Sequence, residues 1–139
     1  MTNTPAIKQP PTLSAAVVLH HSPLEQLHGL LVSLDKSARA LGVRIPLYLI
    51  DQSQSAAYSE AVQAMTREVA TITSLQLQYI ARGRNDGYGA GHNTVLDKAA
   101  GDYHLILNPD VELPENALVQ FIRNLTDHPE VALLAPRGA

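Results

Sequence analysis

The chain has 139 residues, 45% of them apolar, with no cysteine and a formal net charge of −3. That length and apolar content suffice for one domain with a core and fall short of two. The mild acidity gives no long-range attraction for nucleic acid, and no polybasic run suits a membrane surface. The lack of cysteine excludes disulfides, thiolate metal sites and thiol nucleophiles, leaving a reduced, cytosolic compartment as the default.

Residues 1–13 form a proline-bearing tail with a single lysine and no long apolar stretch, which is neither a signal peptide nor an anchor. No apolar run approaches the ~20 residues needed to span a bilayer. Ala15 to Leu19 is a short continuous apolar run, as expected of a central strand covered on both faces. Ser22, Pro23 and Glu25 read as a capping box that opens a helix. Leu24, Leu27, Leu30, Leu31, Leu34, Ala38 and Leu41 then make one apolar stripe, and Gly42 supplies a left-handed cap.

Pro46 to Asp51 repeats the buried-strand pattern and ends in a carboxylate, and Gln52 to Ser55 reads as a loop. Ala56 to about Thr71 is predicted helical with Val62, Met65 and Val69 inward. Leu75 to Ile80 alternates like an edge strand. Asn93 to Ala100 is predicted as a short helix stopped at Gly101, and Tyr103 to Leu107 as the fourth strand. Pro114 opens a last helix with Leu118, Phe121, Ile122 and Leu125 on one face, and Val131 to Ala135 reads as a fifth strand.

Strands alternating with helices define an α/β, Rossmann-like fold, a mostly parallel sheet with helices on both faces. The pattern stops at its fifth strand, so the chain reads as truncated. In such sheets ligands gather at the carboxyl ends of the strands. Asn85 to Asp110 joins a glycine-rich segment to a strand ending in Asp110, and chemistry is expected there. A dinucleotide fingerprint is disfavoured. Gly87, Gly89 and Gly91 read G-x-G-x-G rather than G-x-G-x-x-G, and Arg82 to Asp86 separate them from the preceding strand.

Four blocks, Val17 to His21, Leu49 to Asp51, Asn85 to Asn93 and Leu107 to Val111, resemble in order and spacing those of the family 2 glycosyltransferases. The rhamnosyltransferase-like members are the most similar, with Asn-Pro-Asp-Val where others carry Asp-x-Asp. The resemblance spans about Ser14 to Pro136 and only the nucleotide-binding half of the family's catalytic domain. It implies a GT-A fold over residues 14–139, a donor domain without its acceptor half. The implied donor is a dTDP- or UDP-sugar and the implied acceptor a saccharide or lipid-linked molecule. A place in the cytoplasm or at the inner membrane face follows, and a homo-oligomer is left open.

By the same resemblance Asp51 would hydrogen-bond the base or ribose, and Asp110 would bind Mg²⁺ or Mn²⁺ with Asn108 near the ribose. Asn85, Gly87, Gly89, Gly91 and Asn93 would line the nucleotide pocket, and His20 would pass close to the base. The chemistry is consistent, because a hard divalent cation takes oxygen ligands and completes its shell with water and phosphate, so one protein carboxylate can suffice. Bound there it would neutralise charge on the departing diphosphate.

Plainer roles compete with these. Asp110 could cap a turn or the following helix, and Asp51 could be a turn residue ending its strand. The glycines could only relieve backbone strain. His20 and His21, if both lie in a strand, point to opposite sides. Inverting members of the family take a catalytic base from the acceptor half. Among Glu112, Glu115, Asp127 and Glu130, the carboxylates after Asp110, none sits in a motif resembling it, so the catalytic base stays unassigned. Two functions remain, a sugar-nucleotide-dependent transferase or its donor-binding half, and a non-catalytic nucleotide-sugar-binding or interaction module.

Overall fold

A computed structural model describes residues 11–69, 72–99 and 101–127. Its elements run β1 (Leu13–Leu19), α1 (Leu24–Leu41), β2 (Ile45–Asp51), α2 (Ala56–Glu68), β3 (Leu75–Ala81), α3 (Tyr88–Asn93), a 3₁₀ turn (Leu96–Lys98), β4 (Tyr103–Leu107) and α4 (Ala117–Asp127). The expected fifth strand lies outside the described residues. All pairings are parallel, in the order β3-β2-β1-β4. β1 is thus central and β3 an edge, as their patterns require.

Alternation along the strands divides the core. Ala15, Val17, Leu19, Leu47 and Leu49 face one side, where the stripe of α1, Val62 of α2, and Leu118 and Ile122 of α4 cover them. Ala16, Val18, Tyr48 and Ile50 face the other side, packed with Val95 from the segment after α3. Three helices therefore cover one face and one short helix the other. This follows from topology. The steps β1 to β2 and β2 to β3 move one way across the sheet, β3 to β4 crosses back, and right-handed crossovers send the helices of opposite steps to opposite faces. The order reverses between β1 and β4, whose carboxyl ends flank the resulting crevice.

α1 ends as its sequence dictates, with Gly42 left-handed at φ 82° and its N–H bonded to the carbonyls of Ala38 and Arg39. Its start is a correction. The capping box does not form. Pro23 is the cap residue, with no side-chain hydrogen bond. The chain turns sharply just before, at His21, whose φ is 56°, and the Ser22 carbonyl instead accepts from the Tyr58 hydroxyl at 2.7 Å. Ser55, by contrast, caps α2 by accepting from Tyr58 N–H at 3.2 Å.

Thr12 and Leu13, read as tail from sequence, are tied into the sheet. Leu13 begins β1, and Thr12 exchanges hydrogen bonds with Asp102, its N–H reaching Oδ2 at 3.0 Å and its Oγ1 accepting the Asp102 N–H at 2.9 Å. Polar groups of α1 anchor the region after β4. Ser33 Oγ accepts the Leu113 N–H and Ser37 Oγ the Leu118 N–H, both at 3.0 Å, so the last helix is held where water cannot satisfy its first amides.

Candidate functional site

Asp51 ends β2 and is only 3% exposed. Its Oδ1 accepts the Ser53 N–H at 2.8 Å and its Oδ2 the Tyr79 hydroxyl at 2.5 Å. Tyr79 also lies 2.7 Å from Ser59 Oγ. Burial first, then the bond to Asp51, pushes the Tyr79 phenol up to about 12, so it remains a donor at neutral pH. Each carboxylate oxygen keeps a second lone pair. Asp51 lines an open pocket of about 210 Å³ together with Ser55, Ser59, Tyr79 and Arg82.

Gln52 is the next residue and 1% exposed. Its N–H bonds to the Leu19 carbonyl at 2.8 Å, tying β2's end to β1's. Its side-chain Nε2 donates to Asn85 Oδ1 at 3.3 Å and to the Gly87 carbonyl at 3.2 Å, while Oε1 accepts from Arg82 at 2.8 Å. Arg82 in turn grips Asp86 through its two terminal guanidinium nitrogens at 2.6 and 3.1 Å, which lowers the Asp86 carboxyl below its usual range. His20 joins the same network. Its Nδ1 lies 3.3 Å from the Gln52 carbonyl and its Nε2 3.4 Å from Asn85 Nδ2. A carbonyl only accepts, so Nδ1 carries the proton and Nε2 receives the Asn85 amide.

The glycine-rich segment is not a loop. α3 spans Tyr88–Asn93, replacing the helix expected from Asn93 to Ala100; over the described residues 94–99 a turn and the 3₁₀ segment Leu96–Lys98 occur. Gly87, at φ 107°, makes the turn into α3. Gly91 sits so close to the sheet that a Cβ there would lie 2.8 Å from Val18 Cγ2 and 3.2 Å from Gln52 Cδ. Its role is close approach, since its φ is not in the left-handed region. Beside it His92 is buried, with both ring nitrogens unpaired among the described residues. Burial, reinforced by nearby His104, pushes it down to about 4. Gly89 and Asn93 are exposed.

At β4's end Asn108 and Asp110 are exposed. The turn there is closed by backbone alone, Val111 N–H to the Asn108 carbonyl at 3.2 Å. α4 begins at Ala117, whose N–H reaches the Pro114 carbonyl. Asp110 stands within that turn, but its carboxylate caps neither turn nor helix, and among the described residues it has no hydrogen-bonding or ionic partner. No cluster of three or more His, Cys, Asp or Glu able to hold a metal occurs among them. A single open carboxylate is a donor set that a hard cation sharing its shell with phosphate and water would fit.

His20, Asn85, Gly87 and Asp51 are thus gathered along the ends of β1, β2 and β3, while Asn108 and Asp110 stand apart at β4. Glu112 turns toward α1, where its side chain covers Gly29, and with Glu115 it lines a groove against His28 and Lys36. The side chains of Asp127 and Glu130 lie outside the described residues. His20 and His21 are not in a strand, since β1 stops at Leu19. The left-handed turn at His21 packs their rings edge to face at 5.0 Å, against the expectation of opposite sides. Gln52, Tyr79 and Arg82 were missed, because a polar residue's partners some thirty positions away leave no local signal.

The arrangement, a parallel sheet with polar groups at the carboxyl ends beside a reversal of strand order, is a Rossmann-like α/β fold of the GT-A kind. The crystal structure of S. aureus TarS 1-349 is similar at TM-score 0.64, with 19% identity over 85% of this chain and 33% of that one. The mannosyltransferase PcManGT from Pyrobaculum calidifontis, in complex with GDP-Man and Mn²⁺, is similar at TM-score 0.70, with 16% identity over 87% of this chain and 34% of that one. The chain thus spans about a third of the length of these structures. The Glycosyl transferase family 2 model matches residues 45–139, and the chain belongs to that family. No curated protein matches the sequence.

Proposed function

We propose that residues 14–139 bind a nucleoside-diphosphate sugar and serve as the donor half of a metal-assisted glycosyltransferase whose acceptor is a saccharide or lipid-linked molecule. The observation that carries this reading is the row of polar groups at the carboxyl ends of β1 to β4 in a family 2 chain: Asp51 beside an open pocket, the His20–Gln52–Asn85 network, and the unpartnered Asp110. Asp51 would accept from the base or ribose. Gly87, Gly89, Asn85 and Asn93 would flank the nucleotide, with Gly91 letting α3 approach it.

Asp110, with Asn108 near the ribose, would hold Mg²⁺ or Mn²⁺. When bound, the cation supplies positive charge against the diphosphate. The Asn-Pro-Asp-Val sequence favours a rhamnosyl-type donor, dTDP- or UDP-linked. A lipid-linked acceptor would place the protein at the cytoplasmic face of a membrane; no described helix is long and apolar enough to cross one.

A second reading has its own support. Glu112 and Glu115 turn to the α1 groove and Asp51 is already engaged by Ser53 and Tyr79, so no described carboxylate is free beside Asp110 to deprotonate an acceptor. On this reading the chain by itself binds donor without transferring sugar. Calorimetry of the purified chain with UDP, dTDP and GDP, with and without Mn²⁺, tests donor binding. One diphosphate should bind and tighten with Mn²⁺, and failure of all three sinks both readings. Robust turnover with an acceptor supplied would eliminate the second alone.

A further inference from the structure

The buried Gln52 links the ends of β1 and β2 to the segment that follows β3. Its backbone ties to Leu19 and His20, its Nε2 reaches Asn85 and Gly87, and its Oε1 reaches Arg82. A glutamine amide has two donor hydrogens and one acceptor oxygen. Here both hydrogens go to the segment entering α3 and the oxygen goes to the arginine leaving β3. The first part of the segment is also held by Gln54 on the Gly83 carbonyl at 3.0 Å and by Arg82 on Asp86, whereas Asn85 and Gly87 depend on Gln52. Residues 83–89 are exposed, Gly87 is left-handed, and Asn85 has Gln52, His20 and the Gly87 N–H as its partners among the described residues.

From this geometry we infer that Gln52 is a positioning residue, which holds the Asn85–Gly91 segment over the end of β1 so that the donor pocket is formed before ligand arrives. The inference rests on the donor-binding reading for its functional consequence and on hydrogen bonds alone for its structural one. Preorganisation spares the ligand the cost of ordering a glycine-containing segment, so its loss weakens binding without removing any group that touches the ligand.

Gln52→Glu isolates the effect. The substitution keeps shape and the acceptor for Arg82, and replaces the amide donor with an oxygen facing Asn85 Oδ1 and the Gly87 carbonyl, two acceptors at 3.3 and 3.2 Å. Asn85 can flip its amide to compensate, only by giving up His20, and the Gly87 carbonyl cannot flip. Amide hydrogen exchange should rise at least tenfold across residues 85–91, with β1 and β2 amides unchanged. The affinity for the diphosphate that the parent binds with Mn²⁺ should fall at least tenfold.

Asn85→Ala, at an exposed position, gives a second variant that leaves the core intact, and the same local rise in exchange is expected. Unchanged exchange at 85–91 in both variants overturns the inference. So does a rise spread evenly over the whole sheet in Gln52→Glu with none localised in Asn85→Ala, the mark of a merely structural residue. If the parent binds no nucleoside diphosphate, the donor reading fails, while the exchange result still decides whether Gln52 positions the segment.

Discussion

The two ends of the site are built differently. Along β1, β2 and β3 every key polar group is spoken for inside the protein: Asp51 by Ser53 and Tyr79, Gln52 by Asn85, Gly87 and Arg82, His20 by Gln52 and Asn85. At the end of β4, Asn108 and Asp110 are exposed and without side-chain partners among the described residues. Buried polar groups are costly unless paired, so the first region must be prebuilt. A carboxylate that binds a cation must instead stay open to it. On the proposed donor-binding reading, the prebuilt end would recognise the unchanging nucleoside and the open end the mobile charge of cation and diphosphate. It breaks down if substitutions at the two ends behave alike.

The largest effect is expected at the contact that brings α3 onto the rigid end. Gly91→Val would press a branched side chain where even a Cβ meets Val18 at 2.8 Å and the Gln52 amide at 3.2 Å. Overpacking of this kind costs typically about 1–3 kcal/mol, and the upper end is expected here, read as a fall in ΔG of unfolding in urea. Gly89→Ala, with nothing within 4 Å of a Cβ, should change stability little. Equal losses at both glycines would show that α3 is not seated on the sheet as described.

Next comes Asp51→Ala, which removes the proposed nucleotide partner, leaves the Ser53 N–H without an acceptor and leaves the Tyr79 hydroxyl only Ser59. A hydrogen bond to a charged group contributes about 1.5–3 kcal/mol, so stability and nucleoside monophosphate affinity should both fall by about that amount. Tyr79, relieved of the carboxylate, should ionise at lower pH, visible by ultraviolet titration. Unchanged monophosphate binding in a folded variant would remove Asp51 from the pocket. Asp110→Asn should do the opposite at the open end: no change in Tm, no change in monophosphate affinity, and loss of the Mn²⁺-dependent gain in diphosphate affinity, about tenfold or 1.4 kcal/mol. The same Mn²⁺-dependent gain as in the parent would show that Asp110 is not a ligand.

How far the sequence disclosed this depends on the range over which each feature is encoded. Val17 to Leu19 and Leu47 to Ile50 are continuous apolar runs, so their status as buried strands is local information, and the alternation of β3 announces an edge in the same way. Asp51 and Asp110 were legible as strand-end carboxylates for that reason. The start of α3 was not, because glycine has poor helix propensity and only packing against Val18 and Gln52 explains a helix there. The capping box at Ser22 failed through a tertiary bond from Tyr58 and a left-handed His21, neither visible in a five-residue window. Gln52 lies in the loop after β2 as its sequence reads, but its partners Arg82, Asn85 and Gly87 lie beyond β3 and leave no local signal.

A last expected effect is one of pH, and it separates the buried seat of α3 from both ends of the site. His92 is 3% exposed, and burial holds its folded-state value near 4 against about 6.5 when unfolded. The unfolded chain therefore binds the extra proton first as pH falls. Stability is at its full value above about 6.5 and declines as pH drops toward 4, below which this contribution changes no further. His92→Leu keeps an apolar volume beneath Tyr88, whose ring lies 4.5 Å from the imidazole, and removes the titration along with two unpaired ring nitrogens. The variant should match or exceed the parent at pH 7 and lose less stability between pH 7 and 5, measured by urea unfolding at both. His104, which hydrogen-bonds Ser14 at 2.7 Å and is also lowered by burial, would retain part of the dependence. An identical acid slope in parent and variant would show that His92 is not the group that titrates, and the seat of α3 would have to be less closed to water than its burial indicates.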